Sequence, residues 1–205
     1  MKKIIAVIVA TLVGTFCLKA YAELDATAAE KFIKDTTAEG VEQIINADVS
    51  QAEKDKRFHK LLNNALDLDF IGQFVLGRNW KTANAQQRDQ FITTYRDLNI
   101  LSWSKRFNEF KGKNFVFKGT TPSTSKGQIF VNTVVPMEQG EPAKVLWRVR
   151  EKNGNYKIVD IIIEGVSLAQ ASRSEYTAFI KNNPGGLNAL IDDLKAKLKK
   201  LQETK

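Results

Sequence analysis

The apolar residues of this chain change period at Gly112, from helical to alternating, and that change limits the fold more than any other feature. Before it they recur three and four apart, and after it they alternate. Four alternating segments follow, at 113–118, 128–135, 144–150 and 156–163, joined by links that hold Gly127, Gly140 and Gly154. A parallel crossover needs a dozen or more residues, so links this short predict an antiparallel meander. In the third segment Val145, Trp147 and Val149 share one face while Arg148 and Arg150 share the other, the pattern of a half-buried strand. The fourth is apolar on both faces from Ile158 to Ile163 and is expected to be central.

Helices are expected on both sides of the strands. Ala29, Phe32, Ile33, Val41, Ile44 and Ile45 recur at helical spacing with Gly40 as a weak point, which predicts one or two helices over 26–45. Ser50 with Glu53 forms a capping box, and Phe58, Leu61, Leu62 and Ala65 mark one face of the helix it opens. Asp67 or Asp69 can cap a short helix that Gly77 ends. Asn84 with Gln87 opens a long aromatic helix to about Phe110, and Ser167 with Gln170 opens another to about Asn182. Pro184, Gly185 and Gly186 break that helix before a last amphipathic one through Leu187, Leu190, Ile191, Leu194, Leu198 and Leu201. At 205 residues, with 43% hydrophobic and 26% charged, the chain is expected to form one α+β domain with a core of its own.

The N-terminus has the form of an export signal. Lys2 and Lys3 precede an acid-free apolar run from Ile4 to Leu18, and Ala20-Tyr21-Ala22 offers a small-residue cleavage site before Glu23. The run is shorter than the roughly 20 residues a membrane span needs, so residues 1–22 are expected to be cleaved and 23–205 to form the mature domain. Phe16 before Cys17 argues against lipidation there. Cleavage takes three of the 31 bases, leaving 28 against 23 acids, a mature balance of +5, and removes the single cysteine. No disulfide, thiolate nucleophile or Cys-ligated metal is then available. Outside the cytoplasm, the basic surplus suits anionic lipid or an acidic protein face and not nucleic acid.

The catalytic inventory is thin. The sole histidine, His59, sits on a polar helix face, and one histidine cannot make a two-His metal site. Gly165-Val166-Ser167 lies where a nucleophile elbow would, but its last glycine is missing and no histidine follows it. Asp160 and Glu164 lie four apart on a strand, roughly 13 Å, too far for a glycosidase pair at about 5–9.5 Å. Lys195, Lys197, Lys199 and Lys200 read as a solvated helix face or a docking surface. Bulky apolar side chains are abundant instead. They read as core, or as core that also encloses an apolar ligand.

Two motifs resemble the MlaC, or toluene-tolerance, family of periplasmic phospholipid carriers of Gram-negative bacteria. Leu76-Gly77-Arg78-Asn79-Trp80 followed by Gln87-Arg88 and Phe91 is similar to the family's LG-x-x-W…QR-x-x-F, and the stretch from Asp160 through Gly165, Val166 and Ser167 to its D-x-x-I-E-G-V-S. Val131-Asn132-Thr133 and Gly186-Leu187 add support. Among the departures, Ala171-Ser172-Arg173 stands where members have Asn-Tyr-Arg. The resemblance implies a strongly bent antiparallel sheet of four or five strands, wrapped by helices, whose pocket takes acyl chains and leaves the headgroup at the mouth. It also implies a non-enzymatic protein without cofactor or metal, phospholipid being its cargo. Its partners would be an outer-membrane lipoprotein–porin complex and an inner-membrane ABC transporter with an MCE-type subunit, and its pathway would maintain outer-membrane lipid asymmetry. On that reading Phe74, Phe107, Phe115, Phe117, Trp147 and Ile161 are the expected pocket lining, and Trp103, Lys113 and Arg148 the expected mouth. The alternative is an exported interaction module without lipid cargo.

Overall fold

A computed structural model describes residues 24–106, 114–137 and 141–203. The expected leader, the end of the long helix with Phe107 to Phe110, and Lys113 lie outside them.

Five of the expected helix starts carry a working cap, because a side-chain oxygen there satisfies an N–H that the helix cannot. Asp25 accepts from Thr27 N at 2.9 Å and opens α1 (Ala26–Gly40). Ser50 accepts from Glu53 N at 3.3 Å and opens α2 (Gln51–Ala65). Asp67, rather than Asp69, caps α3 (Leu68–Leu76). After the short α4 (Arg78–Thr82), Asn84 and Gln87 bond reciprocally at 3.0 and 2.9 Å to start α5 (Ala85–Arg106). Ser167 accepts from Gln170 N at 3.0 Å ahead of α6 (Leu168–Asn182), and α7 (Gly186–Glu203) follows. The weak point at Gly40 is resolved as a change of helix type, α1 running directly into a π-helical turn, Val41–Ile45.

The strands are β1 (Val116–Pro122), β2 (Gln128–Val135), β3 (Ala143–Lys152), β4 (Asn155–Ile163) and a two-residue β5 (Val166–Ser167). They pair antiparallel in chain order, which is the expected meander. The short fifth strand is produced by the turn at Glu164 and Gly165, both at positive φ, the geometry of a tight hairpin. β1 runs beyond the expected 113–118 because Gly119, at φ 81°, carries a register shift between Phe117 and Thr120 and lets pairing continue to Pro122, tolerated on an edge strand.

β4 is not central: β3 holds that place, and β4 has only the two-residue β5 beyond it. Its two buried faces come instead from helices on both sides. Ile158 and Ile161 join a core shared with α1, where Ala29 and Ile33 are fully buried, while α3 and α6 pack from the other side. A separate all-helical core gathers Val75, Leu76, Phe91, Leu190, Ile191 and Leu194 from α3, α5 and α7. Helices thus cover the sheet on one side and build their own core beyond the other.

Candidate functional site

Between the sheet, α2 and the end of α1 lies a cavity of about 400 Å³, within the range usual for ligand sites. Helix α2 presents to it the face expected to be apolar, Phe58, Leu61, Leu62 and Ala65. Thr36, Thr37, Gly40, Val41 and Ile45 contribute from the α1 end and the π turn, and Trp103 from α5. Phe115, Val145, Trp147, Ile158, Ile161 and Ile163 line it from the sheet side.

The local structure aims these side chains inward and removes polarity from the wall. A register shift between Arg148 and Val149 makes Val159 an extra residue, so Ile161 pairs opposite Trp147 and Ile158 opposite Val149. The hydroxyls of Thr36 and Thr37 donate at 2.8 Å to the carbonyls of Phe32 and Ile33, one turn back. The π turn is held from α2, where Lys54 Nζ donates to Ile45 O at 3.3 Å and Arg57 Nη1 to Gln43 O at 3.0 Å. Trp147 Nε1 donates to Thr133 Oγ1 at 3.0 Å, and that hydroxyl donates to Val145 O at 2.9 Å. Among the described lining residues none is ionisable, and the hydroxyls of Thr36 and Thr37 are turned to backbone carbonyls, so the wall suits an uncharged apolar guest.

Of the residues expected to line a pocket, Phe115, Trp147 and Ile161 are brought together here. Trp103, expected at a mouth, also lines the wall. Phe117 shares the sheet face of Phe115 but lies outside the wall, beneath Lys34, whose Nζ is 5.2 Å from the ring centre. Phe74 belongs to the helical core, under the guanidinium of Arg173 at 4.8 Å. Arg148 lies on the opposite face of the sheet, stacked on Phe130 at 5.0 Å and 3.9 Å from Asp160, because alternation turns it away from Trp147. Phe107 and Lys113 lie outside the described residues. The wall from α1 and α2 was not anticipated: the α2 stripe is visible as an apolar face, but nothing in its spacing distinguishes a face against a cavity from a face against core.

The two motifs prove to be joints of the scaffold. Asp160, almost wholly buried, accepts from Ser167 Oγ at 2.6 Å and Ala169 N at 3.1 Å, tying β4 to the start of α6. Gly77, at φ 54°, leaves room for Arg173, whose Nη1 donates to Phe74 O at 3.1 Å. Arg88 Nε donates to Trp80 O at 3.0 Å, and Gln87 Nε2 to Asn188 Oδ1 at 2.9 Å, locking α4, α5 and α7. Phe91 stacks on Tyr95, and both meet Tyr176 edge-on. Burial pushes the Tyr95 hydroxyl up to about 12 against a smaller opposing hydrogen bond from Ser172, and burial raises Tyr176 as well. The departure at Ser172 therefore falls in this helical region and not in the described cavity wall.

The other candidates stay apart from the cavity. His59 is exposed on α2, with Asn63 at 2.8 Å and Asp97 at 3.9 Å. Lys197 pairs with Asp193 at 3.0 Å and Glu175 at 3.6 Å, and Lys199 with Glu203 at 3.9 Å. Among the described residues no cluster of His, Cys, Asp or Glu is placed to hold a metal, and no helix is long and apolar enough to cross a membrane.

A family model described as MlaC protein matches residues 35–196 of the chain. An intermembrane phospholipid transport system binding protein, MlaC, from Haemophilus influenzae is 22% identical over 155 residues, 72% of this chain and 72% of that protein. The solved structure of a phospholipid-binding protein from Ralstonia solanacearum, in complex with a phospholipid, superposes with a TM-score of 0.74 at 19% identity, covering 85% of this chain and 98% of that one. At that identity the likeness is one of fold.

Proposed function

The chain belongs to the MlaC family, and on that footing we propose that it is a periplasmic phospholipid carrier, not an enzyme, that houses acyl chains in the cavity between sheet and α2. The observation that carries the reading is the chemistry of the wall: about 400 Å³ bounded by aliphatic and aromatic side chains, with no ionisable group among the described lining residues. Burying one methylene is worth about 0.8 kcal/mol, so two sixteen-carbon tails carried bare through water would cost on the order of 25 kcal/mol. A closed apolar site removes that cost. A bilayer is equally apolar, so exchange between protein and membrane is close to balanced and its direction belongs to the partners. Those partners are an outer-membrane lipoprotein–porin complex and an inner-membrane ABC transporter with an MCE-type subunit, and the outcome is maintenance of outer-membrane lipid asymmetry. Phe115, Trp147, Ile161 and Trp103 contact the chains. The relatives bear the names of phospholipid-binding proteins, which supports the same cargo here.

Native mass spectrometry of the mature protein purified from its own periplasm tests this, followed by solvent extraction of whatever it carries. One or two phospholipids of added mass are expected. A bare protein that also takes no lipid from vesicles would overturn the reading and favour an interaction module without cargo.

A further inference from the structure

The cavity ends abruptly on one side. Val131, Thr133 and Val135 of β2 lie on the same sheet face as Val145 and Trp147, yet all three are buried and none borders the cavity. Trp147 and Phe115, both in the wall, meet edge to face at 5.6 Å and both pack against the core that contains Val131 and Val135. Trp147 sits opposite Val131 in the β2–β3 pairing and bonds to Thr133, which places its ring at the boundary between the open volume and the β2 part of the core. An aromatic ring at the end of a strand side chain has two torsions to hold it, and here a third restraint is present. The indole N–H of Trp147 donates to Thr133 Oγ1 at 3.0 Å, and the same hydroxyl donates to Val145 O at 2.9 Å. Thr133 is 2% exposed, so water does not replace it as the acceptor.

We propose that Thr133 is a positioning residue for the cargo: by holding the Trp147 ring across the β2 side of the cavity it sets the length of acyl chain the protein retains. This rests on the carrier reading above. With the acceptor gone, the indole N–H is left unpaired inside the protein, the ring leaves its place to find another partner, and the cavity extends toward β2. Each further methylene that gains a place no longer stands in water, which is worth about fourfold in retention relative to wild type, so small changes in ring position are readable as changes in chain-length preference.

The test offers the mature protein vesicles of an equimolar mixture of phosphatidylglycerols with 12-, 14-, 16- and 18-carbon chains and reads the retained species by native mass spectrometry. Thr133→Val is expected to shift the retained distribution toward longer chains by about fourfold per methylene. It also moves the Trp147 indole resonance in protein labelled with ¹⁵N-tryptophan and speeds exchange of that proton. Thr133→Ser, which keeps the hydroxyl, restores both. Trp147→Phe removes the donor and shifts the preference by itself, and adding Thr133→Val to it produces no further shift. An unchanged length distribution in Thr133→Val with a displaced indole resonance overturns the proposal. Should Thr133→Val not fold, an unchanged distribution in Trp147→Phe overturns it equally. Wild type that takes up none of the four lipids overturns the carrier function itself, and the role of Thr133 with it.

Discussion

Asp67 and Lys152, 85 positions apart, meet at 2.9 Å where the start of α3 crosses the end of β3. The aspartate side chain is 2% exposed and also faces Arg150 Nε at 3.5 Å, while its backbone N–H donates to Ile158 O at 2.9 Å. One residue thus caps a helix, continues the sheet at the bridge between Leu66 and Ile158, and shares its single negative charge between two cations. It fixes the corner from which α2 leaves the cavity wall.

Asp67→Ala is therefore expected to destabilise the protein by about 2–3 kcal/mol in urea unfolding at pH 7. That is below the roughly 3–5 kcal/mol of a fully buried pair, because the side chains of Arg150 and Lys152 are 26% and 40% exposed and can reach water. Asp67→Asn keeps the cap and should cost less.

Gly77→Ala places a methyl 2.9 Å from Arg173 Nη2 at a backbone φ of 54°. A loss of about 1–3 kcal/mol is expected from the conformation and the displaced guanidinium together. The fall in thermal midpoint measures it, and an unchanged midpoint would show that the α3–α4 joint tolerates a side chain.

Ile163 lines the cavity yet is 37% exposed, so Ile163→Asp adds a carboxylate to the wall at little cost to folding. Retained lipid should fall about tenfold or more, since a charge against an acyl chain must be desolvated. Val116 is similarly exposed but on the opposite face of the sheet, and Val116→Asp should leave lipid retention unchanged.

The buried tyrosines set an alkaline limit. Burial raises the Tyr95 hydroxyl from 10 to about 12, so the folded protein holds that proton where the unfolded chain has lost it. The stabilisation is fully present below pH 10 and is lost as pH climbs toward 12, at about 1.4 kcal/mol per pH unit for this one group. Tyr176 adds to the loss in the same direction. Denaturant unfolding at pH 8 and pH 11 measures this, with Tyr95→Phe expected to show the shallower decline.

Local chemistry determined a large part of this molecule. Helix caps at Ser50, Asn84 and Ser167 and the short links at Gly127 and Gly154 act over a few residues, and each appears in the structure as the sequence predicts, while Gly112 and Gly140 lie outside the described residues. Membership of the family is legible in the same way, because Gly77, Arg88, Asp160 and Ser167 are joints whose spacing along the chain is what makes them joints. The cavity itself is not local. Ile158 and Ile161 line one wall although their odd spacing assigns them to opposite faces, because Val159 is an extra residue between them in the pairing with β3. Phe74 and Phe115 are alike as apolar residues in apolar segments, yet one fills the helical core and the other borders open space. Periodicity states that a face leaves water; only the packing of α1, α2 and the sheet against one another decides whether that face meets side chains or a void that a ligand can fill.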